Sequence, residues 1–254
     1  MSRIMAHLVA HYPDPETSLA VARGLIDGGA AYLEIQFPFS DPTADGPVIQ
    51  QACQYALEAG FSVDAGFDFV RAVVAEARKA GRDVPVFLMS YASLLYARGV
   101  RRFLEDGARA GAAGFILPDI PLDYDEGVGD AAASIGTAIM PVTVTSAAES
   151  RVQMLEELKP EYIYVALRRG ITGEKTRLGD ENLRFLDRLR QTGAKVMAGF
   201  GISDRAQVIA LEPHVHATVV GSAFVRTVTH HAGQLPDRIT AALAAQVRAL
   251  AGRS

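Results

Sequence analysis

The chain has 254 residues, 49% apolar and 21% charged, and its 25 basic and 29 acidic side chains give a formal charge of −4. A mildly acidic balance of this kind excludes a basic footprint for nucleic acid or for an anionic membrane surface. The single cysteine, Cys53, excludes an intrachain disulfide and fits a helix in a reducing compartment.

The opening residues MSRIMAHLVAHYPDP are too short and too polar for a signal peptide, and no run approaches the roughly 18 apolar residues of a membrane span. The expectation is a cytoplasmic protein. Short apolar runs then alternate with helix-length amphipathic segments. In chain order they predict a strand over Ile4–Ala10, a helix over Glu16–Gly28, a strand over Tyr32–Ile35, a helix over Asp68–Ala80 and a strand over Pro85–Ser90. A helix over Val100–Ala110 and strands over Gly114–Leu117 and Ala138–Val142 follow. The series ends with a helix over Glu149–Lys159, a strand over Tyr162–Ala166, a helix over Glu181–Gln191 and strands over Lys195–Gly199 and Ala217–Gly221. The strand runs are rich in Val, Ile, Leu and Phe, as strands covered on both faces require. Several helices end in a glycine that feeds the next strand, as at Gly28, Gly111 and Gly193.

Eight such alternations predict one (β/α)8 barrel spanning residues 1–254 as a single domain. A doubly wound sheet is the competing fold, but no GxGxxG turn follows the first strand. In a barrel the chemistry lies at the C-terminal ends of the strands. Two glycine turns fall there, GFGIS (Gly199–Ser203) and VGSAF (Val220–Phe224), the second opening a short helix. Backbone N–H groups at such turns, a helix dipole and the Ser222 hydroxyl suit a phosphate. The loop RRGITGEKT, from Arg168 to Thr176, reads as a candidate lid.

The segment LEIQFPFSDPTADGPVIQ, Leu33 to Gln50, carries the acids. Glu34 lies in an apolar strand, where a carboxylate is costly unless paired, protonated or working. Its bland alternative is an ion pair with an arginine. Asp41 and Asp45 lie in a turn-rich loop, where aspartates commonly form turns or cap helices. One buried and one loop carboxylate at the same mouth suit an acid–base pair. The four lysines, Lys79, Lys159, Lys175 and Lys195, avoid the C-terminal strand ends, which argues against a Schiff base. Structural or surface roles are expected for all six histidines, with His214 and His216 in a loop and His230 and His231 on a terminal helix.

LEIQFPFSDPTADGPVIQ resembles the LELGxPFSDPxADGPxIQ segment of tryptophan synthase alpha subunits. The similarity continues through FLMSYASLLYARGVRRF, FILPDIPLDY, RRGITG, AGFGIS and VVGSAF. That resemblance implies a TIM-barrel lyase that cleaves indole-3-glycerol phosphate to indole and glyceraldehyde 3-phosphate in tryptophan biosynthesis. It implies no cofactor in this chain. Pyridoxal phosphate would sit in a beta subunit, joined in an alpha2beta2 heterotetramer, with neither nucleic acid nor membrane as partner. By the same resemblance Glu34 is the proton shuttle and Asp45 steadies positive charge at the indole N–H. Tyr164 lines the site, Thr172 is the lid threonine, and Gly173, Gly201, Gly221 and Ser222 cradle the phosphate. His7, Met89 and Tyr91 line the indole pocket, while Asp41 and Pro42 belong to a loop that touches the beta subunit.

The sequence departs from the family where it lacks the usual N-terminal helix, which leaves the barrel floor less covered. His7 replaces an aromatic residue, His11 a glycine and Gln36 the glycine after the glutamate strand. Three other readings stay open at this point: a different phosphosugar isomerase or epimerase, a stand-alone indole-releasing lyase of secondary metabolism, and a non-catalytic barrel that regulates a beta subunit.

Overall fold

The computed structural model describes residues 1–121, 123–167 and 179–253. Along the chain run β1 (Ile4–Val9), α1 (Pro15–Asp27), β2 (Tyr32–Gln36), α2 (Pro47–Glu58), α3 (Val63–Lys79), β3 (Val86–Met89), α4 (Ala92–Arg98), α5 (Val100–Ala110), β4 (Gly114–Ile116) and α6 (Val128–Ser134). Then come β5 (Ala138–Met140), β6 (Val142–Val144), α7 (Glu149–Leu158), β7 (Tyr162–Ala166), α8 (Asp180–Gln191), β8 (Lys195–Gly199), α9 (Arg205–Leu211), β9 (Ala217–Val220), α10 (Ser222–His231) and α11 (Pro236–Ala251). All strand pairs are parallel, in the order β5-β4-β3-β2-β1-β9-β8-β7-β6.

The expected fifth strand, Ala138–Val142, is two short strands divided by Pro141. Proline has no N–H to give to a ladder, so the pairing breaks there. β5 pairs with β4, and β6 pairs with β7. The Pro141 carbonyl still accepts a bond from the Tyr164 N–H at 2.9 Å. The two halves are joined through one residue, so the ring of strands closes across Pro141. The barrel expected from the sequence is therefore present, with its fifth strand interrupted.

Alternation along each strand divides the core into two layers. Leu33, Ile35, Val86, Leu88, Ile163 and Val165 face outward and meet apolar faces of the helices. Met5, Tyr32, Phe87, Met89, Ile116, Met140 and Met197 fill the barrel itself. The helices are held locally as well. Asp14 caps α1 by accepting the Thr17 N–H at 2.8 Å, with Pro15 in the first turn. Gly111 ends α5 at φ +98°, a left-handed turn that only glycine adopts without strain and that aims the chain at β4.

The floor of the barrel is filled from within. Tyr32, Phe87 and Tyr162 meet ring to ring, and the Tyr32 hydroxyl bonds His216 Nε2 at 2.8 Å. His11 stands at φ +62°, a conformation that suits the glycine expected there, and packs edge-on against Phe61 and Phe69. His230 and His231 close α10 and not the terminal helix, which is α11. Among the described residues no helix is long and apolar enough to cross a membrane.

Candidate active site

A cavity of about 530 Å³ opens at the C-terminal ends of the strands. Glu34 points into it from β2 and is 3% exposed. Its register partner on β1 is His7, also 3% exposed. The two side chains share a hydrogen bond, His7 Nδ1 to Glu34 Oε1, at 3.0 Å. The buried partner of the glutamate is thus a histidine and not the arginine considered above. His7 also departs from the structural or surface role expected of all six histidines, because an imidazole in β1 and a carboxylate 27 residues later meet only through sheet register. Burial works against a charged imidazole, yet the Glu34 carboxylate and then Asp45 raise the His7 pKa above its ordinary value.

Asp45 enters from the loop after β2. It does not cap α2, whose N-cap is Gly46 with no side-chain cap bond. Its Oδ2 instead accepts from Gln36 Nε2 and from the Tyr91 hydroxyl, each at 2.7 Å. Tyr91 in turn accepts the Ala44 N–H at 3.1 Å, which ties the loop to the end of β3. Burial raises the Asp45 carboxyl pKa, and His7, Tyr91 and Gln36 oppose that rise only in part. Burial and the adjacent Asp45 push the Tyr91 hydroxyl far up, so it stays a proton donor. Cys53, which accepts from Gln36 at 3.4 Å, is pushed up to about 12 by burial and Asp45 and is an inert thiol.

Tyr164 faces the cavity from β7. Burial and the Glu34 and Asp45 carboxylates hold its hydroxyl well above the ordinary phenol value. Met89, Ile116 and Val142 supply an apolar wall, and Ala44, Pro47 and Ile49 close one side. Gly201, Gly221 and Ser222 also line the cavity, where α10 begins. Arg226, one helical turn beyond Ser222, lines it too and has no ion-pair partner among the described residues. Sequence reading passed over Arg226. The available signal was its spacing, because a residue four positions after Ser222 shares its helix face.

The cavity therefore gathers Glu34, Asp45, Tyr164, His7, Met89, Gly201, Gly221 and Ser222. Tyr91 stands behind Asp45 as its hydrogen-bond donor and does not line the cavity. Asp41 is exposed on the loop, where its carboxylate accepts from Ser40, and neither it nor Pro42 lines the cavity. Thr172 and Gly173 lie outside the described residues, as does the rest of the RRGITG segment.

The sequence profile of the tryptophan synthase alpha chain family matches residues 2–252. The chain belongs to the tryptophan synthase alpha chain family. A tryptophan synthase alpha chain of Helicobacter hepaticus is 35% identical over 229 residues, covering 89% of this chain and 86% of that protein. One from Syntrophotalea carbinolica is 36% identical over 224 residues, 88% of this chain and 87% of that one. Among solved structures, a Pyrococcus furiosus tryptophan synthase alpha subunit superposes with a TM-score of 0.85 at 26% identity, covering 99% of this chain and 98% of that one. A chain of Mycobacterium tuberculosis tryptophan synthase gives a TM-score of 0.84 at 27% identity, with 97% and 93% covered. The expected family and the expected barrel are both met. As a tryptophan synthase alpha chain, this is a lyase of tryptophan biosynthesis acting on indole-3-glycerol phosphate.

Proposed function

We propose that this chain cleaves indole-3-glycerol phosphate with Glu34 and Asp45 as its two working carboxylates. The observation that carries this reading is their convergence: both line one cavity that Gly201, Gly221, Ser222 and Arg226 line as well. A phosphate beside those four residues meets the start of α10, a serine hydroxyl and a cation. The apolar wall of Met89, Ile116 and Val142 suits a planar indole.

The bond to break joins indole C3 to a carbon that bears a hydroxyl. Glu34 gives a proton to C3, and the ring nitrogen becomes electron-poor. Asp45, ionised and held by Gln36 and Tyr91, accepts the indole N–H and stabilises that charge. Glu34 then takes the hydroxyl proton. The carbon–oxygen double bond of glyceraldehyde 3-phosphate forms while the electron pair of the broken bond returns to the ring. The proton count closes with Glu34 in its starting state. Tyr164, kept protonated, lies on the same wall to steady the Glu34 carboxyl. Thr172 and Gly173 would complete the cover and the phosphate cradle from the RRGITG loop.

In this reading pyridoxal phosphate chemistry belongs to a beta subunit and none is assigned to this chain. The exposed Asp41 and the loop around Pro42 are the beta-facing contact. The test is indole release from indole-3-glycerol phosphate with and without a tryptophan synthase beta subunit. Release stimulated by the partner supports the alpha-subunit reading, release indifferent to it makes the chain a stand-alone lyase, and no release in either case removes the proposal.

A further inference from the structure

His7 and Glu34 are register partners at the centre of the barrel, and both are buried and both line the cavity. Their shared bond uses one polar atom of each. The other two, His7 Nε2 and Glu34 Oε2, are buried with no hydrogen-bond partner among the described residues. An unpaired buried polar atom is costly, and one on each of two bonded neighbours at a cavity wall is most simply explained by a ligand that satisfies them. His7 also adjoins the proposed phosphate site, because a Cβ placed on Gly221 would lie 3.5 Å from His7 Cβ and Cγ. The imidazole thus stands between the turn proposed to hold phosphate and the proposed proton shuttle.

We propose that His7 is a positioning residue for the cleavage, resting on the Glu34 assignment above: its Nδ1–H fixes Glu34 Oε1 so that Oε2 alone exchanges protons with substrate, while Nε2 hydrogen-bonds a hydroxyl of the glycerol phosphate segment. With Nδ1 engaged by the carboxyl group, Nε2 is the ring atom left to face the substrate. No atom of His7 gains or loses a proton during turnover. The imidazole holds one geometry of the carboxyl group and one end of the polyol, and a displaced carboxyl oxygen slows proton transfer steeply.

The two jobs separate in kinetics. In the full-length chain assayed with indole-3-glycerol phosphate, His7→Phe lowers kcat by about a hundredfold and raises KM, since both contacts go. His7→Asn restores an N–H donor at the Nδ1 position and nothing at Nε2, so kcat returns to within about tenfold of the parent while KM stays raised. A kcat for His7→Phe equal to the parent overturns the proposal, as does a His7→Asn variant no faster than His7→Phe. Imidazole ¹⁵N spectra of the unsubstituted protein and of Glu34→Gln test the same bond without altering His7. The bond predicts a displaced Nδ1 signal in the variant, and an unchanged one overturns the assignment. An active parent, an inactive Glu34→Gln and an unaffected His7→Phe leave the Glu34 assignment standing and remove only the role of His7. A parent that releases no indole removes both.

Discussion

Gln36 donates to Asp45 across 2.7 Å, so the strand that carries Glu34 also holds the second carboxylate in place. The other donor to the same oxygen is Tyr91, from the far side of the loop. Both bonds favour the ionised carboxylate, and burial opposes it. Removing either donor therefore raises the Asp45 pKa further. In the proposed cleavage the ionised form steadies a positive indole nitrogen, so activity should fall as pH drops through that pKa. Gln36→Leu and Tyr91→Phe should each move the acid limb of kcat/KM to higher pH, and the double variant should move it further than either alone. Gln36→Leu also removes Oε1, a buried carbonyl oxygen with no partner among the described residues, so its stability should stay within about 1 kcal/mol of the parent. Full pH profiles check the first expectation and thermal unfolding the second. An unmoved acid limb in the double variant would remove Asp45 as the titrating group.

Glu34→Gln keeps the shape of the side chain and an acceptor for His7, but it cannot carry a proton to carbon and back. Cleavage should fall by a hundredfold or more, about the range that positioned acid–base groups contribute. The unfolding midpoint and association with a beta subunit should not change. Indole release measured against enzyme concentration is the check, and retention of a tenth of the parental rate would contradict the role given to Glu34.

Glu34 stood out because an acid inside an apolar strand violates a local rule, whereas Asp45 sits where turn-forming and capping aspartates are common and stood out only through the resemblance of the FSDPTADGP segment. The eight strands were legible because covered strands are continuously apolar. What sequence reading missed depends on register. Nothing along the chain states that His7 lies level with Glu34, or that Tyr91 reaches back to Asp45, since those pairings follow from how β1, β2 and β3 align. The break at Pro141 had a visible signal in the proline itself. It passed as strand because the apolar run continues through it and side-chain parity is kept from Met140 to Val142.

Arg226 tests the proposed phosphate site. It is exposed, so solvent weakens its pull on an anion, and the effect belongs at the low end for a charge-assisted bond. Arg226→Ala should raise KM for indole-3-glycerol phosphate by about tenfold and leave kcat within about threefold, since the phosphate does not react. Competitive inhibition by glycerol 3-phosphate should weaken in parallel. An equal loss of kcat with no change in KM would place the arginine's effect in the chemical step and not in phosphate binding.

Gly199 marks where the closed barrel leaves no room for a side chain. It ends β8, and a Cβ there would lie 2.2 Å from the Val219 carbonyl oxygen and 2.7 Å from Val219 Cβ on the neighbouring strand. The first obstacle is backbone, which cannot rotate away as a side chain can. Gly199→Ala must therefore push β8 and β9 apart next to the two turns that end in Gly201 and Ser222. Overpacking of this kind costs about 1–3 kcal/mol. In a barrel of this size each kcal/mol lowers the midpoint by about 2–4 °C. The displaced strands carry the end proposed to hold phosphate, so KM should rise along with the loss of stability, while the Glu34–His7 pair on β1 and β2 keeps its geometry. Calorimetry and steady-state kinetics on the same sample check both. A variant with the parental midpoint would mean that β8 and β9 accommodate a methyl group, which their backbone separation does not permit.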